Sequence, residues 1–253
     1  MRILIANDDS IHAPGIRVLE KIARTLTDDV WVVAPEREHS GAGHSLTLGR
    51  PLRIREVSEK KFAVDGTPTD CMQIALKRIL KDQKPDLMLS GVNYGGNLGE
   101  DVSYSGTIAA AMEATLLGVP AIALSQMVKS NQHTKWATSE HWAPEIISKL
   151  LEQGWPSDVL INLNFPNVVS ESVKGTVIVP QGMRHDNGEI TKWTDPRGEE
   201  FYWIASSTRG ERTDEPGTDL AMITEDYITL TPLHLDFTHY ETLRKLNLAF
   251  HKD

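Results

Sequence analysis

Residues 2–9, with the sequence RILIANDD, decide the fold of this 253-residue chain. Residues 2–6 are almost entirely apolar, which is typical of a central strand that a parallel sheet buries on both faces. A Pro-Gly turn follows, and residues 16–26 then place apolar side chains on one side of a helix. Residues 30–34 form a second buried strand. This order of strand, helix and strand predicts a right-handed unit of a parallel sheet.

The same alternation of apolar runs and helical patterns continues to about residue 165. It predicts an α/β fold with a doubly wound, mostly parallel sheet of the Rossmann-like kind, covered by helices on both faces. Within this region, Pro144 is expected to break the helix predicted at residues 136–151 or to begin a second one.

The pattern changes beyond residue 174. Strands without helices between them are predicted there at residues 176–179, 200–204 and 227–230. A final amphipathic helix is indicated by Tyr240, Leu243, Leu246 and Phe250. We therefore expect a catalytic core at residues 1–180 and a C-terminal extension of hairpins and a helix at residues 181–253. The extension either packs on its own monomer or exchanges with a second copy.

The composition limits the class of protein. The chain carries 26 basic and 35 acidic residues and a formal net charge of -9, which argues against a surface that tracks a nucleic-acid polymer. Its single cysteine, Cys71, rules out an internal disulfide framework. No secretory leader is recognisable before the first strand, and no apolar run is long enough to span a bilayer. We therefore expect a cytoplasmic enzyme or binding protein with no membrane partner.

Two adjacent acids, Asp8 and Asp9, stand at the carboxyl end of the first strand, where a dinucleotide-binding protein has a glycine-rich turn. Two carboxylates would repel a pyrophosphate and attract a metal ion. The alternative is that Asp8 caps the next helix and Asp9 is solvated. Ser40 follows the second strand, also at a carboxyl end, so we expect its hydroxyl near the acids. Taken alone, the loop that carries it is more typical of a polar surface loop. His39 and His44 lie in the same loop, but we do not assign them to a metal because their partners would be hard oxygens.

A second candidate region is the loop at residues 93–107, NYGGNLGEDVSYSGT, which is about fifteen residues long and richer in glycine than usual. It precedes an alanine-rich helix predicted at residues 108–117. Ser105, Gly106 and Thr107 stand where that helix should begin, and unpaired N–H groups at a helix start favour an anion. The alternative is an ordinary capped helix after a flexible loop.

These residues belong to a set of motifs that resembles the SurE family, the survival protein E nucleotidases of stationary phase. The matching motifs are NDD at 7–9, APGI at 13–16, VAP at 33–35, SG at 40–41, GTPTDC at 66–71, SGVNYGGNLG at 90–99, YSGT at 104–107, DPRG at 195–198, PGTD at 216–219 and TPL at 231–233. They occur in the family's order along nearly the whole chain. Ser10 and Asp226 depart from the pattern, because the family usually has glycine at both positions.

The resemblance implies a phosphoric monoester hydrolase, a 5′-nucleotidase that removes phosphate from nucleoside 5′-monophosphates and also from 3′-monophosphates. Some members of the family also act on short polyphosphate. The implied metal ligands are Asp8, Asp9, Ser40 and Asn93. The implied phosphate-binding residues are Asn97, Ser105, Gly106 and Thr107, and the implied catalytic residues are Asp8, Asp9 and Asn97.

The implied ligands are all oxygens, which suits one Mg²⁺ or Mn²⁺ per subunit with positions left for water and phosphate. We expect this metal to activate a water molecule for attack on phosphorus. A covalent aspartyl-phosphate on Asp8 is the rival mechanism. The alternative functions are a broad-specificity phosphatase or exopolyphosphatase and a non-catalytic nucleotide sensor. For assembly, the resemblance implies a homodimer or homotetramer with exchanged C-terminal segments.

Overall fold

The computed structural model of the chain describes residues 1–184, 190–204 and 215–250. Its strands are β1 (Arg2–Ala6), β2 (Asp29–Pro35), β3 (Ile54–Ser58), β4 (Lys61–Val64), β5 (Leu87–Tyr94), β6 (Ala121–Gln126), β7 (Val159–Phe165), β8 (Thr176–Ile178), β9 (Ile190–Thr194), β10 (Glu200–Ile204) and β11 (Ile228–His234). Its helices are α1 (Pro14–Arg24), α2 (Pro68–Ile74), α3 (Gly106–Leu116), α4 (Trp136–Gln153), α5 (Asp219–Thr224) and α6 (Tyr240–Phe250).

Nine of the described strands form one sheet in the order β3-β4-β2-β1-β5-β6-β7-β11-β8. The run from β4 to β7 is parallel throughout, while β3 and β11 each pair with a neighbour in the antiparallel sense. In the centre, Ile3 lies opposite Val30 on one side and Leu87 on the other. The sheet confirms the predicted doubly wound, mostly parallel architecture.

Side chains of a strand alternate between the two faces of the sheet, and β1 shows this clearly. Ile3 and Ile5 join one buried cluster with apolar residues of α1 and α4. Leu4 and Ala6 join a second cluster on the opposite face, with residues of α2 and α3. Burial of each large aliphatic side chain contributes roughly 1.5–3 kcal/mol, so both faces hold β1 in place and with it the acids that follow.

Pro144 does not break α4, contrary to the prediction, because the helix continues from Trp136 to Gln153. A proline inside a helix costs about 3 kcal/mol or more, since it removes a backbone hydrogen bond. Ala143, Ile146 and Ile147 flank it and are buried against the sheet. Their packing offsets the loss and keeps the helix in one piece.

The prediction of C-terminal strands without intervening helices is also wrong, because α5 lies between β10 and β11. Thr218 caps this helix by accepting a hydrogen bond from the backbone N–H of Ala221. Leu220 and Ile223 are buried against Leu98 of the long loop. Six residues are too few to show a helical period in the sequence, so tertiary packing decides this element.

Two C-terminal elements expose apolar side chains in the monomer. The hairpin of β9 and β10 stands apart from the main sheet, and Phe201, Tyr202 and Trp203 on it are exposed. The amphipathic α6 forms where it was predicted, yet none of its residues is buried. No helix in the described parts of the chain is both long and apolar enough to cross a membrane.

Candidate active site

Asp8 and Asp9 follow β1 at the carboxyl edge of the sheet, between β2 and β5. Asp8 is only 4% exposed and Asp9 is half-buried. The backbone N–H of His39, just after β2, donates a hydrogen bond to the carbonyl of Asp8 at 2.8 Å. The backbone N–H of Tyr94, at the end of β5, donates to Asp9 Oδ2 at 3.1 Å. The ends of three adjacent parallel strands therefore meet at the two acids.

The first turn of α3 lies directly against Asp8. The Thr107 hydroxyl donates a hydrogen bond to Asp8 Oδ1 at 2.5 Å and lies 3.4 Å from Asn93 Oδ1. A Cβ atom on Gly106 would lie 2.7 Å from Asp8 Cβ and 2.9 Å from Asp8 Oδ2. Such distances leave no room for a side chain, so glycine is required here for close approach. Asp8, Asn93 and Thr107 thus bring three oxygens together.

The electrostatics of the two acids favour a cation. Burial raises the pKa of Asp8, while the Thr107 hydroxyl and backbone N–H groups at the start of α3 oppose that rise. Burial, with the neighbouring charge of Asp8, raises the pKa of Asp9 to about 6. Both shifts reflect the free energy needed to keep two adjacent carboxylates ionised away from water. A divalent cation between them would lower that free energy.

The kinds of donor atom at the site also fit a hard metal ion. No group of three His, Cys, Asp or Glu side chains that could hold a metal occurs among the described residues. A cation at Asp8 and Asp9 would therefore need hydroxyl, amide or water oxygens as its other ligands. Asn93 Oδ1 is a candidate, because it lies 3.4 Å from the same Thr107 hydroxyl that donates to Asp8. Mg²⁺ and Mn²⁺ accept such oxygen sets. The residues present fit the metal that the sequence predicted.

Ser40 lies near the acids, but its hydroxyl is directed elsewhere. The loop that carries it is held by the bond between His39 and Asp8 described above, and Gly43 N–H donates to the carbonyl of Tyr104 at 3.0 Å. The Ser40 side chain is exposed and donates to Glu38 Oε1 at 2.8 Å. The structure therefore brings together Asp8, Asp9 and Asn93, whereas the Ser40 hydroxyl would have to leave Glu38 to join them.

Ser105 is the N-cap of α3, and its Oγ accepts a hydrogen bond from the backbone N–H of Ile108 at 3.1 Å. The capped helix considered in the sequence analysis is thus present. The same turn also contacts the acids through Gly106 and Thr107. Phosphate binding at this turn stays a prediction, and the geometry puts any anion bound there beside Asp8.

Asn97 is buried and fixed by a network that sequence reasoning missed. Its backbone N–H donates to Asn164 Oδ1 at 2.8 Å, and its carbonyl accepts from the side chain of Asn162 at 2.8 Å. Its own amide donates to Ser125 Oγ at 2.8 Å. The signal was two asparagines at alternate positions of the otherwise apolar β7, on the same face. Buried amides need partners, so this pattern indicated a polar contact.

The long loop is more ordered than the sequence indicated. β5 extends to Tyr94, a 3₁₀ turn occupies Gly99–Ser103, and α3 begins at Gly106. Asp219 is fully buried and accepts hydrogen bonds from the backbone N–H groups of Gly99 at 3.0 Å and Gly182 at 2.7 Å. The C-terminal part of the chain thus holds the loop that carries Asn97.

Arg184 and Gln181 reinforce this attachment. The Arg184 guanidinium donates to the carbonyl of Leu98 at 3.1 Å and to Asp101 Oδ2 at 2.8 Å. The Gln181 side chain donates to the carbonyl of Gly99 at 2.7 Å. These residues lie 82 to 86 positions from their partners, so no local sequence pattern marked them.

Comparison with known proteins adds evidence of a different kind. A family model described as "Survival protein SurE" matches residues 3–188. The 5′-nucleotidase SurE of Paramagnetospirillum magneticum is 56% identical over 250 residues, which cover 99% of this chain and 96% of that protein. The 5′-nucleotidase SurE of Parvibaculum lavamentivorans is 52% identical over 252 residues, covering 98% of this chain and 91% of that protein. The crystal structure of the SurE protein from Aquifex aeolicus has a TM-score of 0.86 and 40% identity, and it covers 98% of this chain and 99% of that one.

Proposed function

The chain belongs to the SurE family, and from this premise we propose that it is a 5′-nucleotidase that needs a divalent metal ion. It is a phosphoric monoester hydrolase that converts a nucleoside 5′-monophosphate and water into a nucleoside and phosphate. Relatives named 5′-nucleotidase SurE are about 50% identical to it over nearly their whole length.

The observation that carries the proposal is the convergence of Asp8, Asn93 and Thr107. One hydroxyl lies 2.5 Å from the Asp8 carboxylate and 3.4 Å from the Asn93 amide oxygen. A cation site and the start of a helix therefore adjoin at the carboxyl edge of the sheet. Metal-assisted hydrolysis of a phosphate monoester can use this combination, because the cation would polarise the phosphoryl group and activate water while the helix start stabilises the anion.

We assign Asp8, Asp9, Asn93 and, after its hydroxyl leaves Glu38, Ser40 as the residues that would hold one Mg²⁺ or Mn²⁺. When bound, this ion would polarise the phosphoryl group and lower the pKa of a coordinated water. The two carboxylates would neutralise part of the charge of the ion and fix its position.

The first turn of α3 would receive the phosphoryl group. The Ser105 hydroxyl and the N–H groups of Gly106 and Thr107, which lie against Asp8, stand at the positive end of the helix dipole. The Ser105 N–H itself donates to the carbonyl of Asp101 at 3.0 Å. Asn97 would donate to a phosphoryl oxygen after release from Ser125, and its fixed backbone keeps the amide in place. Burial of Asp8 and Thr107 limits access of bulk water, which strengthens each of these interactions.

We also propose several properties that the family resemblance implies. These are activity on 3′-monophosphates and short polyphosphate, a cytoplasmic location and a homodimeric or homotetrameric assembly. The division into a catalytic core at residues 1–180 and an oligomerisation segment at residues 181–253 belongs with them. It is supported by the exposed apolar side chains of the β9–β10 hairpin and α6.

Phosphate release from a substrate panel tests the proposal. The panel comprises 5′-AMP, 5′-GMP, 3′-AMP, short polyphosphate and p-nitrophenyl phosphate, each with Mg²⁺, with Mn²⁺ and after chelation. We expect turnover of 5′-monophosphates with a metal and its loss on chelation. Nucleotide binding without phosphate release under all conditions would instead identify a nucleotide sensor.

A further inference from the structure

A cavity of about 780 Å³ opens beside the first turn of α3. His44, Ser103 and Ser105 line it near this turn, and Gln181, Thr231 and His234 are the other polar residues of its lining. Its apolar wall includes Ile108, Met112, Leu160, Val179, Leu233 and Phe237. Cavities of roughly 300–1,000 Å³ with apolar walls and a few polar groups suit small organic ligands. The volume exceeds what a phosphate alone would fill.

The His44 ring is fixed by a buried carboxylate. Its Nε2 lies 2.7 Å from Oε2 of Glu113, which is only 6% exposed on α3. The other oxygen of Glu113 accepts a hydrogen bond from Gln73. Burial acts to raise the pKa of Glu113, but the bonds from His44 and Gln73 together hold it below its ordinary value. The group is therefore a carboxylate at neutral pH.

An ionised carboxylate only accepts hydrogen bonds, so His44 Nε2 must donate to Glu113. In the neutral ring Nδ1 is then an acceptor. The backbone on both sides of His44 is held as well. Gly43 N–H donates to Tyr104 at 3.0 Å, and the carbonyl of Ser45 accepts from the Thr67 hydroxyl at 2.7 Å. The His44 ring thus has a fixed position in the lining of the cavity, with Nδ1 as an acceptor whenever the ring is neutral.

We propose that this cavity binds the nucleoside part of the substrate and that His44 Nδ1 accepts a hydrogen bond from a ribose hydroxyl. This inference rests on the proposed nucleotidase function. With the phosphate at Ser105, the ribose must follow next, at the end of the cavity where His44 lies. The base then reaches the apolar walls near Leu233 and Phe237. Glu113 is a positioning residue, because it acts through His44.

Kinetics of the His44→Ala variant test this assignment. The substrates are 5′-AMP, its 2′-deoxy and 3′-deoxy analogues, and p-nitrophenyl phosphate, which has no ribose. We expect the KM for 5′-AMP to rise about tenfold, the loss that one hydrogen bond allows. Discrimination between 5′-AMP and at least one deoxy analogue should fall to nearly one, with kcat/KM for p-nitrophenyl phosphate unchanged. His141→Ala, on the exposed side of α4, is the matched histidine control and should change none of these values.

Two further variants keep the test informative if His44→Ala unfolds. Glu113→Gln should reduce the same discrimination to a smaller extent, because the ring loses its charged partner. Met112→Trp should fill the cavity, so that KM for 5′-AMP rises while p-nitrophenyl phosphate is still hydrolysed. Melting temperatures and light scattering establish whether each variant is folded and assembled as the wild type.

The outcomes separate this inference from the proposed function. A wild-type protein inactive on every nucleotide would contradict the proposed function. In that case, calorimetric binding of adenosine that His44→Ala weakens about tenfold would still support nucleoside binding in the cavity. An equal loss on 5′-AMP and p-nitrophenyl phosphate in His44→Ala would overturn the inference, as would unchanged discrimination. A Met112→Trp variant with altered mass and normal 5′-AMP kinetics would show that a second copy of the chain occupies the cavity instead.

Discussion

The carboxylate of Asp219 accepts a hydrogen bond from the backbone N–H of Gly99, 120 residues earlier in the chain, at 3.0 Å. Its other oxygen accepts from Gly182 at 2.7 Å. One buried side chain therefore joins the loop of the candidate site to the C-terminal part of the chain. The position of Asn97, two residues before Gly99, depends on this link.

We expect Asp219→Ala to lower both activity and stability. Each N–H group left without a partner costs about 1–3 kcal/mol, and the loop that carries Asn97 loses its attachment. kcat/KM for 5′-AMP should fall at least tenfold, and the melting temperature should drop. Asp195→Ala is the control, because Asp195 accepts from two backbone N–H groups in an exposed turn, whereas the buried Asp219 accepts from three. A wild-type kcat/KM in Asp219→Ala would show that Asp219 does not position Asn97.

Gly106→Ala should inactivate the enzyme while the fold survives. The added methyl group would lie 2.7 Å from Asp8 Cβ, so Asp8 or the first turn of α3 must move. A displacement of about 1 Å at a reacting site can cost roughly a hundredfold in rate. The control is Gly49→Ala, where no atom lies within 4 Å of the new methyl group. Circular dichroism should show unchanged helix content, and activity near wild type would contradict the close packing of Gly106 on Asp8.

Asp8→Asn and Asp9→Asn should each abolish metal binding and turnover. Both substitutions keep the side-chain volume and remove a charge that burial disfavours, so the metal-free protein should stay folded with an equal or higher melting temperature. Calorimetric titration with Mn²⁺ measures the loss directly. Asp86→Asn, near the start of β5, controls for a general charge effect. Activity within about tenfold of wild type in either site variant would refute the metal assignment.

Ser10 and Asp226 replace residues that are usually glycine in the family, and both adopt positive φ angles, 94° and 65°. The backbone thus keeps a conformation that favours glycine. A left-handed residue other than glycine is disfavoured by roughly 1–2 kcal/mol. Asp226→Gly should therefore stabilise the protein by about 0.5–1 kcal/mol and raise the melting temperature by about 1–4 °C. The control is Glu225→Gly, which should lower the melting temperature because Glu225 has an ordinary φ of -90°. A lower melting temperature in Asp226→Gly would show that the backbone at Asp226 is not strained.

The sequence predicted those site residues that stand at the ends of recognisable strands. Asp8 and Asp9 are adjacent and end a strand, and Asn93 ends the neighbouring strand β5, so the parallel sheet alone brings them together. Asp219 and Arg184 escaped prediction because their partners lie more than 80 residues away. The cavity near His44 was not predicted either, since its lining comes from segments that only the folded chain brings together. The hydroxyl of Ser40 donates to Glu38 instead of facing the acids, and the spacing of residues in the sequence did not reveal this bond.

One side of α6 is apolar and exposed in a single chain. Leu243, Leu246 and Phe250 lie on one side of this helix and are 44%, 50% and 79% exposed. Apolar side chains grouped in this way usually mark an interface, and exchange between two copies would bury them in equivalent contacts. We expect light scattering to give a dimer or tetramer of the 28.2 kDa chain.

Leu246→Asp should weaken this assembly, because burying an unpaired carboxylate at an interface is costly. Leu248→Asp is the control: Leu248 lies on the opposite side of α6 and is 75% exposed, compared with 50% for Leu246. The dissociation constant of the dimer should rise at least about tenfold in the first variant and stay near wild type in the second. Mn²⁺ affinity should be unchanged in both, since α6 contributes no proposed ligand. A wild-type mass of one chain at micromolar concentration, or equal effects of the two substitutions, would show that the apolar side of α6 does not form the interface.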